Sequence, residues 1–269
     1  MSALSNLRRT AIVTGAAKGI GRAIAFRLAD DGLQVAVNDK RSERAPLLEM
    51  VAEIESKGGQ AMAMTADVSI EEEVRAMTAE VARQLGGLDV MVANAGVAGP
   101  LTPLVDCPVQ GWEEIMAVNL RGVMLSYKHA AIQMIKQGRG GRIIGASSIL
   151  GKQGRISAAP YSTTNFAVRG LTHSTARELA RYNITVNAYA PGIILTTLAT
   201  SVHDLHNGGP GSTIKKTFGL PLNTPNAEPE VVASLVSYLA KPEAHFITGN
   251  SAEWLVAAYI LSSELCQVK

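Results

Sequence analysis

The sequence predicts an α/β protein: one domain built on a doubly wound parallel sheet of about seven strands. Three observations predict it. Short apolar runs alternate with amphipathic segments along the whole chain, as expected for strands buried on both faces by crossover helices. A glycine-rich turn separates the first apolar run from the first helix. No linker, repeat or low-complexity segment divides the 269 residues, so 1–269 reads as a single unit.

Taken in order, Thr10 to Thr14 (Thr-Ala-Ile-Val-Thr) is the first strand and Gly19 to Asp31 the first helix. Gln34 to Asn38 is the second strand, followed by a helix near Arg44 to Lys57 that Gly58 and Gly59 stop. Ala61 to Thr65 is the third strand. Ser69 with Glu72 has the spacing of a capping box, and Val74, Met77, Val81 and Leu85 then share one helix face. Leu88 to Ala93 and Arg142 to Ala146 are strands four and five, separated by a helix near Trp112 to Gln137. A helix near Ala159 to Tyr182 leads into strand six, Thr185 to Ala190. A last helix near Pro229 to Ala240 precedes a seventh strand around Ser251 to Val256. The segment 201–226, rich in Gly, Pro, Thr and Asn, is read as a substrate lid because of its length and its place after strand six.

Composition narrows the function. With 25 Lys+Arg against 23 Asp+Glu, the net charge of +2 gives no electrostatic reason to expect nucleic acid or an anionic membrane as partner. The apolar stretch from Trp254 to Leu261 is too short to span a bilayer, and the N-terminus lacks the apolar core of a secretory signal. Two cysteines, Cys107 and Cys266, fit a reduced, cytoplasmic protein. His203 and His206 have no carboxylate or thiolate cluster beside them, so no metal site is expected.

The glycines carry the first chemistry. Gly15, Lys18, Gly19, Ile20 and Gly21 lie between a strand and a helix. There glycines permit a tight turn and let a pyrophosphate approach the N–H groups of a helix N-terminus, whose dipole favours negative charge. This makes the fold Rossmann-type. Asp39 follows strand two, where a carboxylate accepts hydrogen bonds from adenosine ribose hydroxyls and repels a 2′-phosphate. NAD is therefore the expected cofactor. NADP is the alternative, since Lys18, Lys40 and Arg41 stand nearby.

From residue 8 to about 250 the chain resembles the short-chain dehydrogenase/reductase family. The turn Thr14 to Gly21 matches the family's cofactor turn, and Asp67-Val68 after strand three matches its adenine contact. Ala93-Asn94-Ala95-Gly96 is similar to its Asn-Asn-Ala-Gly motif. Asn119 lies in the helix that carries its catalytic Asn, and Ser148 and Tyr161 stand at its Ser–Tyr spacing. Pro191, Gly192, Ile194 and Thr196 follow strand six, where the family holds the nicotinamide end. Residues 161–172 and 185–192 look especially like acetoin/diacetyl reductases and 2,3-butanediol dehydrogenases. The resemblance implies reversible hydride transfer between a nicotinamide and a small ketone or dicarbonyl, with a secondary alcohol as the other partner. It implies that Tyr161 exchanges the proton, Ser148 holds the substrate oxygen, and Asn119 anchors a water linked to solvent. A homo-oligomer, dimer or tetramer, is also implied.

Two departures stand out. The family's Tyr-x-x-x-Lys reads Tyr161-x-x-x-Asn165 here. A positive charge about 4 Å from the phenol at an effective dielectric of about 20 is worth on the order of 4 kcal/mol. That is roughly three pKa units, or about a thousandfold in rate if felt wholly in the barrier. Without it, tyrosine remains a proton donor for reduction but a poor base for oxidation at neutral pH. Lys152 is a nearby cation, read as a solvated loop lysine. At the other end, residues 251–269 form an atypical tail in place of the family's Val-Asp-Gly-Gly ending. The departures define an alternative: a divergent relative with weak or lost redox activity, acting as a non-redox isomerase or cyclase or as a cofactor-binding pseudoenzyme.

Overall fold

The computed structural model describes residues 8–253. Seven parallel strands form one sheet in the order β3-β2-β1-β4-β5-β6-β7. They are β1 (Thr10–Thr14), β2 (Gln34–Asp39), β3 (Gln60–Thr65), β4 (Val90–Ala93), β5 (Gly141–Ala146), β6 (Ile184–Ala190) and β7 (Ser251–Glu253). The helices are α1 (Gly19–Asp30), α2 (Arg44–Ser56), α3 (Glu71–Leu85), α4 (Val109–Met116), α5 (Val123–Gln137), α6 (Ala159–Leu179), α7 (Asp204–Asn207), α8 (Ser212–Thr217) and α9 (Pro229–Ala240).

Side-chain alternation along the strands divides the core in two. On β1, Ala11 and Val13 face a layer with Ile24, Leu28, Leu47 and Val236, from α1, α2 and α9. Ile12, between them, faces the other layer with Val74, Met77, Tyr127 and Val168, from α3, α5 and α6. β1 pairs with both β2 and β4, with Val13 opposite Val37 and Val92. The strand order reverses between β1 and β4, and there the carboxyl ends of two strands diverge to leave a crevice.

Two expectations change. The capping box does not form, because the Asp67 carboxylate captures the Ser69 N–H at 2.9 Å and its hydroxyl at 2.7 Å. α3 starts at Glu71 with Ile70 as its uncapped N-cap. The helix expected near 112–137 begins earlier, at Val109, and is interrupted by a π-helical turn, Ala117–Gly122. The segment 201–226 contains two short helices, α7 and α8. β7 spans Ser251–Glu253, and the tail from 254 onward lies outside the described residues, as does Cys266.

Candidate active site

The turn after β1 has the backbone that a phosphate cradle requires. Gly15 and Gly19 have φ of 64° and 57°, the left-handed region that side chains disfavour. At Gly21 the constraint is contact: a Cβ would lie 2.1 Å from the Gly15 carbonyl oxygen. α1 starts at Gly19 with no side chain capping its first N–H groups, which leaves them for an anion. These features fit a dinucleotide pyrophosphate.

β4 holds this turn in place. Thr14 Oγ1 accepts the N–H groups of Asn94 and Ala95 at 3.0 and 3.1 Å. The Asn94 Nδ2 group donates to the carbonyls of Thr14 and Gly15 at 2.8 and 3.1 Å. Gly15, Asn94 and Ala95 line a cleft of about 380 Å³ that also meets the ends of β5 and β6.

At the end of β2, the Asp39 carboxylate accepts the N–H groups of Ala17 at 3.1 Å and Lys40 at 2.9 Å, which fixes it beside the turn. Lys18 is paired with Glu43 at 3.2 Å. Val68 lines the cleft, whereas Asp67 does not and turns toward Ser69.

The opposite wall gathers the proton-handling candidates. Ser148, buried at the start of the β5 loop, accepts the Leu150 N–H on Oγ at 3.2 Å, so its own hydroxyl proton remains for an oxygen in the cleft. Tyr161 and Asn165 sit one turn apart on α6 and both line the cleft. Burial raises the Tyr161 phenol above its ordinary pKa, and hydrogen bonding with Ser148 and Asn165 only opposes this. Among the described residues no cation contributes to that balance. Asn165 Nδ2 instead donates back along the helix to the Tyr161 carbonyl at 2.8 Å. Lys152 is not the solvated loop lysine expected: it is half-buried, and its Nζ donates to the Ser251 carbonyl at 3.4 Å.

Asn119 also lines the cleft, from the π-helical turn, but its side chain is committed. Oδ1 accepts the Val97 N–H at 2.9 Å and Nδ2 donates to the Val97 carbonyl at 2.8 Å. Its amide thus fastens the segment after β4, using one of its two N–H donors and one lone pair of its oxygen. After β6, Pro191, Gly192, Ile194 and Thr196 border the cleft, with Thr196 Cγ2 packed where a Cβ on Gly19 would be 3.1 Å away. Asn94, Ala95 and Gly96 border it from β4.

The structure therefore collects every expected site residue except Asp67 around one cavity. It adds Tyr189, Ser147 and Leu198, which sequence reasoning passed over. Tyr189 had a signal: a phenol near the carboxyl end of a central strand, beside a run of small residues, needs a buried hydrogen-bond partner. Among the described residues there is no cluster of three or more metal-ligating side chains, and no helix long and apolar enough to cross a membrane.

Fold and cleft together define a Rossmann-type α/β protein with its ligand crevice at the switch point of the sheet. More particularly, the chain belongs to the short chain dehydrogenase family, whose pattern matches residues 9–206. It is 46% identical over 243 residues to the short-chain dehydrogenase/reductase eriH of Hericium erinaceus, covering 90% of this chain and 94% of that one. It is 39% identical over 248 residues to FabG of Staphylococcus aureus, a 3-oxoacyl-(acyl-carrier-protein) reductase, covering 91% and 96%. Among solved structures, a short-chain type dehydrogenase/reductase from Mycobacterium marinum superposes with a TM-score of 0.82 at 33% identity, covering 92% and 94%. Levodione reductase superposes with a TM-score of 0.83 at 28% identity, covering 91% and 95%. The family is one of oxidoreductases that typically use NAD or NADP.

Proposed function

We propose that this protein is an NAD(H)-dependent oxidoreductase that interconverts a small ketone or vicinal dicarbonyl and a secondary alcohol, working chiefly as a reductase. The observation that carries this is the shared cleft: Ser148 and Tyr161 face the same cavity as the uncapped start of α1. The turn residues Gly15, Gly19 and Gly21 would hold the pyrophosphate, Asp39 the adenosine ribose, and Gly192 to Thr196 the nicotinamide end. The bound nicotinamide supplies hydride. Ser148 donates a hydrogen bond to the substrate oxygen, and Tyr161 gives that oxygen its proton. Because burial keeps the Tyr161 phenol protonated and no cation opposes it, the donor role is favoured over the base role. That FabG is by name a reductase of a 3-oxo group agrees with this direction. Asp39 supports NAD over NADP, since it stands at the ribose position while Glu43 neutralises Lys18.

The test is NADH consumption, followed by its near-ultraviolet absorbance, over a panel of acetoin, diacetyl and bulkier ketones. Tyr161→Phe should lower the rate by about a hundredfold or more. An unchanged rate would remove Tyr161 from the chemistry. One observation favours a second reading: Asn165 stands where the family resemblance expects lysine, and it offers the phenol an uncharged amide in place of a cation. Binding of NADH without turnover on any ketone would select the cofactor-binding pseudoenzyme. Product formed without net NADH consumption would select an isomerase or cyclase. A homo-oligomer is proposed as well, on the exposed apolar residues Ile132 and Ile135 of α5 and Phe166 of α6. Light scattering at several concentrations reads the subunit number.

A further inference from the structure

We infer that Tyr189 is a positioning residue for the cofactor: its buried hydroxyl sets the orientation of the Asn94 side chain, which in turn holds the glycine turn in its phosphate-binding shape. Tyr189 lies on β6, two strands beyond β4, and is 1% exposed. Its hydroxyl donates to Asn94 Oδ1 at 2.8 Å. A carboxamide can point either way, and here only one way satisfies its neighbours. The Thr14 and Gly15 carbonyls, at 2.8 and 3.1 Å, accept only from the Nδ2 side. The oxygen must then face β6, where the phenol is the donor.

Burial strengthens the constraint. The Tyr189 phenol is pushed far above its ordinary pKa, so it stays a donor at every working pH. Removing it leaves Oδ1 without that donor. The amide then either keeps an unmet acceptor in a nearly closed space or rotates and sets oxygen against two carbonyl oxygens. Either outcome loosens the turn. The turn has little freedom to compensate: a Cβ on Gly15 would lie 2.7 Å from Ala95 Cα, and a Cβ on Gly21 would lie 2.5 Å from Asn94 Nδ2. The Tyr189 carbonyl separately accepts the Ser147 N–H at 2.8 Å, a backbone link that side-chain replacement leaves in place.

The consequence for the cofactor rests on the nucleotide reading of the cleft, so two readouts are needed. The first uses no nucleotide: hydrogen exchange of residues 15–22 in the full chain. Tyr189→Phe, which removes only the hydroxyl, should speed exchange there by about tenfold, with α9 unaffected. The second is NADH affinity by titration calorimetry. Tyr189→Phe should raise Kd by about tenfold, and adding it to Asn94→Ala should change Kd by less than about twofold, because the tyrosine acts only through the amide. Unchanged exchange, or additive effects in the double variant, would overturn the relay. Faster exchange with an unchanged Kd would overturn its role toward the cofactor. If the parent binds neither NADH nor NADPH, the nucleotide reading and the cofactor role fall together, and exchange alone decides the relay. Should Tyr189→Phe not fold, Asn94→Ala must show the faster exchange by itself, and protection equal to the parent would overturn the proposal.

Discussion

The two walls of the cleft are built differently. On the side formed by β1, β2 and β4, polar groups pair with one another. Thr14 holds Asn94 and Ala95, Asn94 holds Thr14 and Gly15, and Asp39 holds Ala17 and Lys40. On the side reached from β6, Leu198 lines the cleft and is 52% exposed, and the segment continuing from it carries Val202 and Leu205, 84% and 88% exposed and outside the cleft lining. That segment is nonetheless organised at its base by one residue. The Asp204 carboxylate accepts the N–H groups of Ser201, Gly211 and Thr213 at 3.1, 2.8 and 2.8 Å, closing the chain between α7 and α8. One wall is preset to a fixed shape, as a cofactor common to many reactions requires. The other continues into a folded segment that keeps apolar side chains toward solvent.

The comparison breaks most sharply at the proton-transfer site between the walls. Asn165→Lys would restore a cation beside Tyr161, and alcohol oxidation at neutral pH should rise by up to about a thousandfold. Steady-state rates in both directions check this, and an unchanged oxidation rate would show that the phenol does not need the charge. The next largest effect belongs to the preset wall. Gly21→Ala drives a methyl into the Gly15 carbonyl oxygen, and NADH affinity should fall by about a hundredfold or more by calorimetry. A tight-binding Gly21→Ala would mean the turn is more adaptable than its contacts imply.

The pH profiles come third. Since burial raises the Tyr161 pKa, the protonated form persists below that raised value. Ketone reduction should therefore be flat between about pH 6 and 9, while oxidation should climb about tenfold per pH unit without a plateau in that range. Asn165→Lys should bring a plateau into it. The smallest effect is expected in the segment 201–226, where a lid is proposed. Asp204→Ala leaves three backbone N–H groups without their acceptor, so ketone KM should rise by about fivefold while NADH Kd stays within about twofold. Hydrogen bonds from Thr213 foremost, with Gly211 and Ser201, hold the Asp204 carboxyl below the usual carboxylate range against the opposing effect of burial. The lid contribution of this lowered group is present above the unfolded value near pH 4 and is lost as pH falls through the folded one. Hydrogen-exchange protection over residues 201–217, after correction for the intrinsic pH dependence of amide exchange, should accordingly be the same at pH 5 and pH 7.

Much of this molecule was legible from local pattern. The alternation of apolar runs and amphipathic helices located all seven strands, and a strand followed by Gly15, Gly19 and Gly21 located the crevice, because both depend on near neighbours in the chain. The same local reading failed where a side chain had two competing partners. Ser69 had capping spacing but bonded Asp67. Lys152 looked like a solvated lysine and reached instead to the Ser251 carbonyl. Tyr189 read as one more residue of a buried strand.

By itself, the sequence determined the fold class, the order of the elements and the residue types gathered at the crevice, including the uncharged Asn165. Those follow from periodicity and from the conformations glycine alone tolerates. Only the tertiary structure decided how the polar groups are shared: which carbonyls face Asn94, that Tyr189 reaches it from two strands away, and that burial raises the Tyr161 pKa while Ser148 and Asn165 oppose it. The physical reason is that a hydrogen bond or a charge interaction is set by distances of a few ångströms between residues far apart in the chain. Local pattern names the candidates for such contacts, and packing selects among them.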